Sequence, residues 1–344
     1  MTQPNDPLAA LDLAALRNHL VAEGIALTGE LRATVITGGR SNLTYRVFDE
    51  ATSWVLRRPP IAGLTPSAHD VGREYRIIDA LQSTGVPVAP TVLNCLDPGV
   101  IGAPFTLVGF VPGKVLRTQQ DLVALTDAEL LDVHHELIRV LAELHAVDHL
   151  EVGLAEFGRP EGFTERQIAL WHRQWLRVAT RDLPDVERLF GKLRDRPPHA
   201  DGSPTIVHGD FRVDNTLLDP HHLNRVVALV DWEMSTIGDP ITDVAMMCAY
   251  QHPDFDHVVG EPGASTSVRW PDARAVARDY AALSGRDLGD FDAYLGLAFL
   301  KLAVIAEGIA SRHLAGAGTG TGYATSALAV PGLVAAGLRA LGDS

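Results

Sequence analysis

The sequence predicts an α+β fold with a small β-rich N-terminal part and a larger, mostly helical C-terminal part. Three observations carry that prediction. Short strand-like runs cluster early, at Leu31–Thr37, Thr44–Phe48, Ser53–Arg57 and Phe105–Phe110. Long helical periods dominate later, at Asp127–Val147, Pro271–Leu283 and Ala293–Leu314. Between them lies a polar, acid-rich stretch, Thr205–Asp243, in which apolar runs alternate with loops.

Composition narrows the function classes. The 344 residues, 46% of them hydrophobic, hold ample material for a core in two parts, expected at 1–108 and 109–344. A net charge of −14 argues against nucleic acid as a partner, because no basic stripe is available to meet phosphates. Cys95 and Cys248 stand alone, without metal-ligand spacing, and read as reduced core thiols of a cytoplasmic protein. The N-terminus lacks a basic n-region and an apolar h-region, so no secretory signal is read. Lys301 and Glu307 interrupt the apolar run near Leu295–Ala310, which reads as a buried helix with no role in a membrane. The sequence leaves the oligomeric state open.

The elements follow in order. Leu13, Leu16, Leu20 and Val21 share a helical spacing, so Leu11–Glu23 opens the chain as an amphipathic helix. Gly38-Gly39-Arg40-Ser41-Asn42 joins two antiparallel strands, either as a plain hairpin turn or as a loop whose backbone N–H groups cradle phosphates. Val71, Tyr75, Ile78 and Leu81 mark a helix over Ala68–Leu81, and Gly85–Pro90 ends it in extended chain. Leu130, Leu131, Leu137, Val140, Leu141 and Leu144 line one face of the helix at 127–147. His134, His135 and His145 on that helix lack HExxH spacing and read as surface or packed histidines. Val152–Leu193 is partly helical, and Gly316–Gly322 reads as a flexible loop.

The chemistry lies in Thr205–Asp243. His208-Gly209-Asp210 follows the apolar pair Ile206-Val207, and Asn215 sits five positions beyond Asp210. Thr216–Leu218 and Val226–Val230 read as two strands, the second delivering Asp231 at its end. One Asp and one Asn on a loop, with an Asp at a strand end, supply the hard oxygens that Mg²⁺ takes beside phosphates and water. The remaining carboxylate is then able to accept the proton of an attacking hydroxyl. Glu233 lies two residues beyond Asp231 and faces the same way if the chain there is extended.

These motifs resemble the aminoglycoside phosphotransferase family, whose loop reads H-G-D-x-x-x-x-N, and through it the protein-kinase-like fold. His-Gly-Asp-Phe-Arg-Val-Asp-Asn at 208–215 and Gly-Asp-Pro-Ile-Thr-Asp at 238–243 are similar to the subgroup found fused to acyl-CoA dehydrogenases. The resemblance spans roughly residues 30–315. It implies a two-lobed ATP- and Mg²⁺-dependent phosphotransferase acting on a small-molecule hydroxyl, aminoglycoside-like or hydroxyacyl. A nucleotide-binding pseudokinase or regulatory module is the alternative. Asp210 takes the role of catalytic base, and Asn215 and Asp231 hold the metal. Gly39, Arg40, Ser41 and Asn42 form the nucleotide loop. Arg57, with Arg58 as the alternative, replaces the usual phosphate-binding Lys and pairs with Glu74. Backbone groups around Val108, Phe110 and Val111 meet adenine. Asp239 and Asp243 brace the catalytic loop.

Overall fold

The computed structural model describes residues 11–36, 42–60, 70–199, 202–317 and 320–343. The chain divides into two compact units, one of Met1–Pro112 with Ala228–Glu233 and one of Gly113–Val227 with Met234–Ser344. The first unit takes in a second stretch of chain that carries Asp231.

The first unit holds α1 (Leu13–Ala22), β1 (Arg32–Val35), β2 (Leu43–Phe48), β3 (Ser53–Arg58), α2 (Val71–Ala80), β4 (Thr91–Cys95) and β5 (Phe105–Gly109). Asp12 caps α1 by accepting the Ala15 N–H at 2.9 Å, and Asp70 caps α2 by accepting that of Arg73 at 2.9 Å. Leu16 and Leu20, one turn apart, are fully buried, whereas Val21 lies off that face and is exposed. The strands form one antiparallel sheet in the order β1-β2-β3-β5-β4. Side chains alternate across it: Tyr45, Val47, Trp54 and Leu56 enter a core shared with Leu16, Leu20, Phe105 and Leu107. The strand β4 lies within the extended segment expected after Gly85. A register shift at Thr91/Leu93 and weak apolar alternation hid it from the sequence pattern.

The second unit holds α3 (Gln119–Leu122), α4 (Asp127–Ala146), α5 (Phe163–Val178), α6 (Pro184–Asp195), β6 (Thr205–Val207), β7 (Thr216–Leu218) and the start of β8 (Val226–Leu229). It continues with β9 (Thr236–Gly238), α7 (Ile241–Ala249), α8 (Phe255–Val259), α9 (Ala273–Ser284), α10 (Phe291–Leu314) and α11 (Ser326–Ala340). Thr126 and Glu129 close a reciprocal capping box at the start of α4. Its apolar face is buried as the spacing predicts, except that Leu131 points to solvent. By length and composition α10 is long and apolar enough to cross a membrane. Its central window is 78% buried, with the helix packed against α11, α7 and α5. The helix α11 lies beyond the elements expected from the sequence and holds Pro331 within it. Burial of Ala329, Val330, Leu333, Val334 and Leu338 against the rest of the unit outweighs the lost backbone bond.

Candidate active site

The first-unit residues expected to meet phosphate, Arg57 and Glu74, come together from β3 and α2. Alternation along β3 turns Trp54, Leu56 and Arg58 to the core and Arg57 to the other face. This decides between the two arginines. Arg58 is buried, with Nη1 on the Ile101 carbonyl at 3.0 Å, while Arg57 Nη1 reaches Glu74 Oε2 at 2.8 Å. Arg57 Nη2 also lies 3.5 Å from Asp231 Oδ1. Burial pushes the Glu74 carboxyl up to about 7; Arg57 pulls against it, and the Asp231 and Glu233 charges add to the rise.

Gly39, Arg40 and Ser41 lie outside the described residues. Asn42 is buried and donates Nδ2 to Glu74 Oε1 at 2.9 Å, so its side chain supports the Arg57–Glu74 pair. Asp231 has φ 67°, a left-handed turn that a non-glycine residue seldom adopts. The chain does not stay extended after it: Trp232–Met234 forms a 3₁₀ turn, which removes the basis for Glu233 facing the same way as Asp231.

The stretch expected to meet adenine is bonded as follows. Val108 pairs with Val55 on one side and Thr91 on the other, so its backbone belongs to the sheet. The Phe110 N–H donates to the Ser53 carbonyl at 3.0 Å, and its ring lies under the Arg46 guanidinium at 4.5 Å. Gly109 N–H donates to the Pro90 carbonyl at 2.7 Å, and proline has no N–H to return. The Gly109 carbonyl therefore receives no N–H from Pro90, its partner across the sheet, a consequence visible only once the strands are paired.

In the second unit the catalytic loop follows β6, and β9 pairs antiparallel with β6 so that Val207 opposes Thr236. Gly209 has φ +82°, and a Cβ there would meet the Met234 carbonyl oxygen at 2.5 Å. Asp243, on the first turn of α7, is fully buried beneath the loop. It accepts the His208 N–H at 2.7 Å and the Gly209 N–H at 2.8 Å, and His145 Nε2 lies 3.3 Å away. Burial pushes the Asp243 carboxyl up, but His145 and the Gly209 N–H outweigh that and hold it below its ordinary value. Burial likewise lowers His145, whose Nδ1 bonds the Tyr280 hydroxyl at 2.7 Å. His145 is thus a packed histidine, one that supports the brace. Asp239 caps α7 by accepting the Ile241 N–H at 3.0 Å and also holds the Tyr294 hydroxyl.

Asp210 and Asn215 meet directly. Asn215 Nδ2 donates to Asp210 Oδ2 and to the Asp210 carbonyl, both at 2.8 Å. With its nitrogen so engaged, the amide carbonyl oxygen of Asn215 is the atom that remains for a metal. Asp231 offers a half-exposed carboxylate bound to Arg57 only at long range. Both donors are hard oxygens, the kind Mg²⁺ prefers, so each residue fits its expected role. No group of three or more His, Cys, Asp or Glu residues arranged for a metal occurs among the described residues.

Sequence reading missed two residues beside Asp210. The Tyr250 hydroxyl donates to Asp210 Oδ1. Lys301, on α10, donates from Nζ to the Gly209 carbonyl at 2.7 Å and lies 5.7 Å from the Trp171 ring centre. Burial pulls the Lys301 ammonium below its ordinary pKa, while Asp210 and Asp243 pull it up. A lysine in the apolar middle of a helix is the available signal, since a buried ammonium needs an acceptor.

The chain is 31% identical over 306 residues to human acyl-CoA dehydrogenase family member 11, covering 88% of this chain and 39% of that protein. It is 34% identical over 334 residues to mouse acyl-CoA dehydrogenase family member 10, covering 95% and 30% respectively. The chain thus spans well under half the length of these relatives. A Ralstonia eutropha structure named for an aminoglycoside phosphotransferase superposes with a TM-score of 0.82 at 30% identity, covering 96% of this chain and 98% of that one. The fold of an aminoglycoside phosphotransferase solved with ADP and hygromycin B matches at a TM-score of 0.63 and 15% identity, covering 96% and 100%. The fold is accordingly the α+β, protein-kinase-like one. The profile of the phosphotransferase enzyme family matches residues 32–290, and the chain belongs to that family.

Proposed function

We propose that this phosphotransferase moves the γ-phosphoryl group of ATP to a hydroxyl of a small molecule, aminoglycoside-like or hydroxyacyl. The observation that carries the reading is the Asp210 carboxylate, presented on a loop whose backbone N–H groups Asp243 holds from beneath. Asp210 orients the acceptor hydroxyl and takes its proton as the oxygen attacks phosphorus. Arg57, aligned by Glu74, meets the phosphates with a planar fork where a lysine would offer a point charge. Asn215 and Asp231 would hold Mg²⁺, which neutralises phosphate charge when bound. Gly109 and Val111 supply the backbone contacts for adenine. Catalysis is then mostly positioning and charge neutralisation. Cytoplasmic residence accords with the two free, buried cysteines.

Relatives support the choice of a nucleotide donor and a hydroxyl acceptor without naming the latter. The Arg57–Glu74 pair weakens the main argument for a pseudokinase, because the arginine makes the bond expected of the usual lysine. The test is acceptor-dependent ADP release from Mg·ATP across a panel of aminoglycosides, sugars, choline-like alcohols and hydroxyacyl thioesters, with Asp210→Ala as control. Release that vanishes in the variant supports the reading and names the acceptor class. ATP binding with no acceptor response moves the protein toward a regulatory module, and absence of ATP binding overturns both.

A further inference from the structure

Two different elements hold the two carboxylate oxygens of Asp210. Asn215, from the motif itself, takes Oδ2 at 2.8 Å, and the Tyr250 phenol takes Oδ1. Tyr250 lies outside the motif, immediately after α7 and one residue beyond Ala249. The same helix presents Asp243 at its other end, so one rigid element grips the loop at the His208–Gly209 backbone and at the Asp210 side chain. The Tyr250 ring is buried, 4.9 Å from the Phe255 ring and 5.4 Å from the Arg212 guanidinium. Those contacts account for the ring and make no use of the hydroxyl. Arg212 Nη1 is held by Asp214 at 2.6 Å, and its Nε lies 3.5 Å from Asp210 Oδ1.

We propose that Tyr250 is a positioning residue for Asp210, an inference that rests on reading Asp210 as the group that takes the acceptor proton. With a hydrogen bond on each oxygen, the carboxylate cannot turn about its Cβ–Cγ bond without breaking both. Oδ2, whose side-chain partner is Asn215, keeps a lone pair for the acceptor hydroxyl, while Oδ1 also lies beside Arg212. Misplacing a reacting group by about 1 Å costs roughly a hundredfold in rate, so a carboxylate held on one side only loses much of its advantage. Tyr250→Phe removes the donor and keeps the ring against Phe255 and Arg212.

The experiment measures kcat and KM for Mg·ATP in the full chain with Tyr250→Phe. It also compares urea midpoints for that substitution in the parent and in an Asp210→Ala background. The expected result is a kcat lower by about tenfold to a hundredfold, with KM for ATP changed by no more than about twofold. The small midpoint shift caused by Tyr250→Phe should disappear once Asp210 is alanine. A kcat within about twofold of the parent overturns the proposal. So does a midpoint shift of equal size in both backgrounds, which would place the hydroxyl's effect elsewhere. A parent chain without acceptor-dependent ADP release overturns the reading of function instead, and the urea comparison still decides whether the phenol acts on Asp210.

Discussion

Asp243→Asn tests how much of the catalytic loop hangs on a single buried carboxylate. The substitution keeps size and shape but leaves one acceptor oxygen where there were two. Asp243 accepts two backbone N–H groups, from His208 at 2.7 Å and Gly209 at 2.8 Å. The asparagine retains one of them and turns an NH₂ toward the other. A hydrogen bond to a charged group contributes about 1.5–3 kcal/mol, and a buried donor left unsatisfied costs about 1–3 kcal/mol. The sum, about 2.5–6 kcal/mol, brackets the usual cost of about 3–5 kcal/mol for breaking a buried charged pair. Urea unfolding followed by tryptophan fluorescence at neutral pH measures it. The acid limb gives a second readout. The Asp243 carboxyl is held below its ordinary 3.8, so its contribution is present above that pH and is lost as the pH falls through the lower folded value. The variant should lack that limb. A stability loss under about 1 kcal/mol would show that the loop is held by something other than this brace.

Other expectations follow from the same geometry. Gly209→Ala forces a Cβ to 2.5 Å from the Met234 carbonyl at φ +82°, and should lose about 1–3 kcal/mol from backbone strain alone, with turnover falling alongside; wild-type stability and kcat would refute it. Lys301→Met removes a buried ammonium whose hydrogen bond goes to the neutral Gly209 carbonyl, so unfolding should show little destabilisation while kcat falls, and unchanged turnover would deny Lys301 any hold on the loop. Glu74 binds a proton more readily folded than unfolded, so its contribution to stability is present below 4.5 and lost as the pH rises to about 7. At about 1.4 kcal/mol per tenfold that difference is of order 3 kcal/mol, and Glu74→Gln should flatten the parent's stability profile across this window. Below about pH 7 the protonated Glu74 also releases Arg57, so KM for Mg·ATP should rise on acidification in the parent and change less in the variant.

Much of the fold and half of the site were legible in the sequence because they depend on periods within a short window. Alternation along 53–58 already separates Arg57 from Arg58, and helical spacing locates the face of Leu16 and Leu20. The five-residue step from Asp210 to Asn215 lets the amide reach back to the carboxylate within one turn of loop. In α11 burial outweighs the local cost of Pro331 inside the helix.

The rest was decided by contacts between residues far apart in the chain. Nothing near His208 announces that Asp243 collects its N–H, that Tyr250 takes Asp210 Oδ1, or that Lys301 reaches the Gly209 carbonyl. Asn42 turned out to serve Glu74, and Pro90 gives no N–H to the Gly109 carbonyl, because packing put those pairs side by side. The sequence by itself determined the chemistry of the loop, since residue type and short spacing dictate which atoms are available to it. Only the tertiary structure decided what holds those atoms still, because a buried donor takes whichever acceptor packing brings within reach, wherever that acceptor lies in the chain.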